Sequence, residues 1–238
     1  MANIALLIAG GSGNRMKQDI PKQFLTVNER PVIVYTLEVF EKHPEIDEIA
    51  VVCLEGWDHV LWAYAKQFNI TKLKYVVRGG ENGQDSIRNG VFELEKYCDK
   101  EDIVLIHDAI RPMVSSEIIS DNIRVCREYG NAITVIPCAE AMLCTEDGID
   151  SSELYPRDNL KRTQTPQAFK LGEICNLHRR ALEVGITNSV ASCTLKVEMG
   201  EKVYFSRGSE KNIKLTTVED IDIFRALLMA KRSDWLKG

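Results

Sequence analysis

Short β-branched apolar runs alternate with segments of helical period through the first 137 residues of this 238-residue chain. That rhythm dictates repeated βαβ units around a largely parallel sheet. Strands are expected at 4–8, 48–54, 74–77, 103–107 and 132–136, with helices near 32–42, 57–68, 85–97 and 116–129. Residues 138–162 break the rhythm, with acids, a Gly148 turn and no strong helical period, over a stretch longer than an ordinary connection. Alternation then resumes, with a helix near 171–184, a strand near 202–206, the segment NIKLTT at 212–217 and a closing amphipathic helix near 218–231. At 45% hydrophobic and 27% charged residues, the chain can bury one full-sized core, and no repeat or flexible linker divides it.

Charge and cysteine usage narrow the partners. A net charge of −5 and an isoelectric point near 5.5 argue against nucleic acid, because counterion release needs a dense cationic surface. Seven cysteines, odd in number and without a CxxC pair, fit neither a zinc knuckle nor a disulfide framework and read as reduced thiols in a cytoplasm. The opening MANIALLIAGG lacks a basic segment and meets glycine after a short apolar run, so it reads as a strand and not a signal peptide. No uncharged apolar run is long enough to span a bilayer, and no membrane partner is expected.

Three motifs carry the chemistry. The first strand runs into LIAGGSGNRMKQDIPKQFL at 7–25, where Gly10, Gly11 and Gly13 let backbone N–H groups approach an anion with no Cβ in the way. Arg15 and Lys22 add formal charge to that cradle, the combination that displacement at phosphorus requires as charge builds on the non-bridging oxygens. GGENGQDSIRNG at 79–90 follows the third strand, and its polar residues can cap a helix and contact a base or ribose. HDAIRP at 107–112 follows VLI and brings Asp108 out at a strand end, suited to a hard cation. Each alone reads equally as a turn or a helix cap. Together they lie at equivalent strand ends, outside the carboxyl edge where open α/β sheets bind ligands. His107 reads as a structural histidine, and Trp57, Trp62 and Trp235 as packing or surface aromatics. A dinucleotide fold is disfavoured because the third glycine of GxGxxG would fall at Met16 and the second strand ends in Leu54 rather than an acid; the P-loop pattern is absent too.

GGSGNRM, PKQFL, GG followed by QDSI, HDAIRP, TPQAF and NIKLT occur in an order that resembles the cytidylyltransferases of the methylerythritol-phosphate and ribitol-phosphate type, over nearly the whole chain. The resemblance implies an α/β fold with a Rossmann-like, mostly parallel sheet and helices on both faces. It implies one nucleotidyltransferase domain over 1–238, with 138–163 as a protruding β-arm reaching into the partner of a homodimer. It further implies a reaction of CTP with a polyol phosphate that releases pyrophosphate. By the same resemblance Ala9, Gly10, Gly11, Ser12, Gly13, Asn14 and Arg15 wrap the CTP phosphates, and Arg15 and Lys22 stabilise the transition state at the α-phosphorus. Gly80, Glu81, Asp85 and Ser86 contact cytosine and ribose, Asp108 holds Mg2+, and Arg157, serving the neighbouring active site, and Lys214 position the polyol phosphate.

The chain departs from the pattern at a few positions. Gly83 stands where arginine is common, near the nucleotide loop. Glu140 and Ala141 replace an Asp-Thr pair, and TNSVAS at 187–192 lacks the acid of the family's segment. The last two lie on the acceptor or subunit-contact side, so CTP use is expected to survive. The acceptor then is ribitol phosphate, another pentitol or glycerol phosphate for a surface polymer, or methylerythritol phosphate for isoprenoids, and the missing threonine tilts the expectation to the surface-polymer group. A catalytically silent nucleotide-binding relative would have lost Arg15, Lys22 or Asp108, and all three are kept.

Overall fold

The computed structural model describes residues 1–11 and 20–233. Five parallel strands build the frame: β1 (Asn3–Ala9), β4 (Glu48–Cys53), β5 (Leu73–Arg78), β6 (Ile103–Asp108) and β7 (Asn131–Pro137). Two short strands, β2 (Thr26–Val27) and β3 (Arg30–Pro31), pair with each other outside the sheet. Helices α1 (Val32–Lys42), α2 (Asp58–Gln67) and α4 (Ser116–Tyr129) cover one face; α3 (Gly83–Leu94), α5 (Leu171–Glu183) and α6 (Ser192–Glu198) cover the other. Because both faces are covered, β1 reads NIALLIA without polar alternation. Ala5, Leu7 and Ala9 join the first apolar layer, whereas Ile4 and Leu6 join the second. The closing helix α7 (Val218–Ser233) docks Phe224 edge-on against Tyr35, with ring centroids 5.1 Å apart.

The sheet order is β11-β7-β10-β6-β1-β4-β5, with β11 at Phe205–Arg207 and β10 at Lys161–Lys170. β10 was not expected from the sequence. Its polar alternation and Pro166 argue against a central strand, yet it runs antiparallel between β6 and β7. The pairing with β7 shifts register between Thr163 and Gln167, so the N–H that Pro166 lacks falls where the ladder is already interrupted. Helix α6 was likewise not expected, and NIKLTT carries no strand. Residues 138–160 leave the sheet and include a hairpin of β8 (Met142–Cys144) and β9 (Glu153–Tyr155), whose six residues are exposed. Lys161 to Thr163 pair with β7, so the sheet takes back the last residues of the stretch read as an arm. No described helix is long and apolar enough to cross a membrane.

His178 on α5 is buried with neither ring nitrogen hydrogen-bonded. Burial, reinforced by the Arg88 guanidinium, pushes it from its ordinary 6.5 down to about 4. The unfolded chain therefore binds a proton that the folded chain refuses between those values. The residue's contribution is constant above pH 6.5 and turns destabilising as pH falls towards 4, by about 3 kcal/mol in the limit. His178→Leu should raise the melting temperature at pH 8 and by several degrees more at pH 5; an equal gain at both pH values in thermal unfolding would contradict this account.

Candidate active site

From β1 the chain builds outward through β4 and β5, then returns to place β6 on the other side of β1. Strand order therefore reverses between β1 and β6, and the residues leaving their carboxyl ends share one crevice. Gly10, leaving β1, runs against the loop after β5: a Cβ on it would lie 3.3 Å from Gly79 Cα and 3.2 Å from Ser86 Oγ. Gly80 is more constrained, since a Cβ there would lie 2.3 Å from Asp85 Cβ. The Gly80 N–H donates to Ser86 Oγ at 3.0 Å, and Asn82 caps α3 by accepting the Asp85 N–H at 2.9 Å. From the PKQFL segment, Phe24 stacks on Trp57 at 4.6 Å, and Gln23 Nε2 donates to the carbonyls of Ala9 at 2.7 Å and Gly11 at 3.0 Å.

Two cavities open in this crevice. One, of about 540 Å³, is walled by Ala9 to Gly11, Lys22, Gln23, Gly80 to Gly83 and Ser86. The other, of about 290 Å³, is walled by Thr163, Gln164, Thr165 and Gln167 of β10 and by Val190 to Ser192. Ile8, Gly83, Asp108 and Lys214 line both, so the two form one cleft with an ion pair at its junction.

At that junction Lys214 Nζ lies 3.2 and 3.1 Å from the two Asp108 oxygens, and Arg111 Nε lies 3.1 Å from Oδ2. Burial alone would raise the Asp108 carboxyl, but the Lys214 and Arg111 charges hold it below the ordinary aspartate value. Arg111 Nη1 also donates to the Asn212 carbonyl at 2.8 Å, and Asn212 Nδ2 donates to the Thr165 carbonyl at 2.9 Å, which straps the Lys214 loop to β10. Thr165 Oγ1 accepts the Asp108 N–H at 3.1 Å and has one proton to give, which goes to His107 Nδ1 at 3.0 Å. His107 Nε2 then carries the ring proton and donates to the Arg111 carbonyl at 3.2 Å. Burial pushes His107 down to about 4 despite the neighbouring Asp108. It is a neutral brace for the strand end.

The residues expected at the site fall into three groups. Ala9, Gly10, Gly11, Lys22, Gly80, Glu81, Ser86, Asp108 and Lys214 line the cleft. Asp85 and Arg157 do not line either cavity: Asp85 accepts from Asn82 and pairs with Arg88 at 2.8 Å, while Arg157 sits at the base of the arm, half exposed, donating to the Ala139 carbonyl at 2.9 Å. Ser12, Gly13, Asn14 and Arg15 lie outside the described residues. The sequence reading missed Arg111, Gln23, Asn212 and the β10 side chains, although HDAIRP, PKQFL, NIKLT and TPQAF contain or adjoin them. Of the departures, Gly83 and residues 190–192 line the cleft, and the Ser192 hydroxyl there is buried without a partner.

Among the described residues no three His, Cys, Asp or Glu side chains gather as a metal cage. One ionised carboxylate beside a polyanion-sized cleft fits Mg2+ held mostly by substrate oxygens and water. Burial pushes the Cys53, Cys126 and Cys175 thiols up to about 11, 12 and 12, so none of these is a thiolate nucleophile. Because Gly80 has no room for a Cβ, Gly80→Ala should displace the 80–86 turn and weaken triphosphate binding about tenfold or more by calorimetry; unchanged affinity would remove this loop from the site.

Residues 3–230 match the family model described as IspD: 2-C-methyl-D-erythritol 4-phosphate cytidylyltransferase. The chain is 44% identical over 229 residues to the ribitol-5-phosphate cytidylyltransferase of Lacticaseibacillus paracasei, covering 95% of this chain and 98% of that one. It is 38% identical over 228 residues to the 2-C-methyl-D-erythritol 4-phosphate cytidylyltransferase of Clostridium botulinum, covering 95% and 97%. The crystal structure of 4-diphosphocytidyl-2C-methyl-D-erythritol synthase from Anaerococcus prevotii superimposes with a TM-score of 0.81 at 27% identity, covering 96% of each chain. A match of this length, on a sheet whose reversal point holds a two-part anion-sized cleft, makes this chain a member of the 2-C-methyl-D-erythritol 4-phosphate cytidylyltransferase family and an enzyme of the cytidylyltransferase class.

Proposed function

We propose that this enzyme transfers CMP from CTP to ribitol 5-phosphate and releases pyrophosphate. The observation that carries the reading is the joined cleft: a glycine-walled cavity and a second cavity whose β10 wall carries hydroxyl and amide groups and whose lining includes apolar side chains such as Ile87 and Val190, with Lys214 and Asp108 lining both. The 44% identical relative bears the ribitol-5-phosphate name, and a wall of Thr163, Gln164, Thr165 and Gln167 suits a hydroxyl-rich chain.

Both substrates are polyanions and repel each other at close range, so neutralisation precedes alignment. Ala9 to Gly11 and Lys22, with Arg15, take the triphosphate; Gly80, Glu81 and Ser86 take the nucleoside; Lys214 takes the acceptor phosphate. A phosphate oxygen of the acceptor, already deprotonated at neutral pH, bonds to the α-phosphorus while the bond from that phosphorus to the pyrophosphate oxygen breaks. No base or covalent enzyme intermediate is required, and catalysis rests on orientation and electrostatics. Asp108 is the residue that would hold Mg2+, which when bound supplies charge neutralisation at the phosphates. The exposed hairpin, with Leu143, Ile149 and Leu154 more than three-fifths exposed, suits a homodimer arm that carries Arg157 to the neighbouring site. Seven free cysteines suit a cytoplasmic location.

Pyrophosphate release with CTP and Mg2+ tests the reading. Ribitol 5-phosphate should be the preferred acceptor over glycerol phosphate and methylerythritol 4-phosphate, and Lys22→Ala or Lys214→Ala should lower kcat/KM about 100-fold or more. Preference for methylerythritol 4-phosphate would establish the second reading, which the 38% identical relative supports. Mixing inactive Lys22→Ala and Arg157→Ala chains should restore activity, because one site of the mixed dimer keeps both cations; no restoration would place Arg157 outside the partner's site.

A further inference from the structure

Gln23 is 1% exposed, beside the cleft, and none of the chemistry above uses it. It occupies the middle of the 3-10 turn Lys22–Phe24, between a lysine at the cavity wall and a phenylalanine stacked on Trp57. Its side-chain amide has two hydrogens, and Nε2 reaches two carbonyls, Ala9 at 2.7 Å and Gly11 at 3.0 Å. Those carbonyls are one residue apart on each side of Gly10, at the mouth of the glycine turn. Carbonyl oxygens facing a triphosphate would repel it, whereas N–H groups attract it. A trans peptide points its carbonyl and N–H in opposite directions, so the Ala9 carbonyl tied to Gln23 leaves the Gly10 N–H on the far side.

We propose that Gln23 is a positioning residue for the nucleotide: by holding the Ala9 and Gly11 carbonyls with both amide hydrogens, it keeps those oxygens off the triphosphate and sets the glycine turn against Lys22. The inference rests on the reading of this cavity as the CTP site. A purely space-filling role makes a different forecast, since Gln23→Met preserves length and volume while removing both donors. Gln23→Glu keeps the shape and turns a donor into a charged acceptor facing two carbonyls.

The experiment measures CTP affinity by calorimetry, and kcat and KM for each substrate, in the wild-type enzyme and both variants, with folding followed by circular dichroism. Gln23→Met should weaken CTP binding and lower kcat/KM for CTP by about tenfold, with the acceptor KM within about twofold, and Gln23→Glu should lose about tenfold more. CTP parameters within about twofold of wild type in the folded variants, or equal losses for both substrates, would overturn the inference and leave the functional reading standing. If one variant does not fold, the other decides; if neither folds, Gln23 belongs to stability and the positioning role is overturned. A wild-type enzyme that binds no CTP overturns the functional reading and this inference with it.

Discussion

The antiparallel pairing of β10 with β6 is what the site depends on. A strand that runs against its neighbour begins where the neighbour ends, so the first half of β10 lies beside the carboxyl end of β6. In a wholly parallel sheet that edge is furnished by loops. Here Thr163, Gln164 and Thr165 furnish it from a strand held on both sides. The register shift around Pro166 releases the ladder just where Thr165 turns to His107 and the Asp108 backbone. The loop that bears Lys214 is then strapped down through Asn212 and Arg111.

Electrostatics at the cleft are local and opposed to the charge of the whole chain. The protein carries −5, yet Arg111 and Lys214 flank Asp108 at the strand-order reversal, and Lys22 lines the adjoining cavity. Asp108 lets two cations approach each other: without it, Arg111 and Lys214 would repel across a partly desolvated space. The pair also keeps the Lys214 side chain at the junction of the two cavities. His107 contributes shape and not charge, because burial keeps its ring neutral and its two nitrogens fix the end of β6.

Much of this was legible in the sequence because its signals are local. A continuous apolar run such as NIALLIA declares a strand covered on both faces, and α1 and α4 match their helical period residue for residue. Glycines at 10 and 11 and the cation at 22 stood out because anion binding needs a bare backbone and charge near it, whereas Lys214 came only from the family resemblance. β10 was illegible for a physical reason: its polar side chains face a cleft, and its proline sits in an irregularity, so it lacks the apolar alternation by which strands are recognised. Asp85, which the resemblance set against cytosine and ribose, lines neither cavity and is engaged with Asn82 and Arg88 in the first turn of α3.

By itself the sequence determined the alternation of strand and helix and the family, since each depends on residues near one another in the chain or on an ordered set of motifs. Only the tertiary structure decided that Asp108 is paired with Lys214, 106 residues away, that Gln23 holds the carbonyls of Ala9 and Gly11, and that β10 forms a wall of the cleft. Those facts depend on strand order and direction. Strand order follows from how the apolar faces stack and which edges pair, a competition among distant segments that no local pattern records.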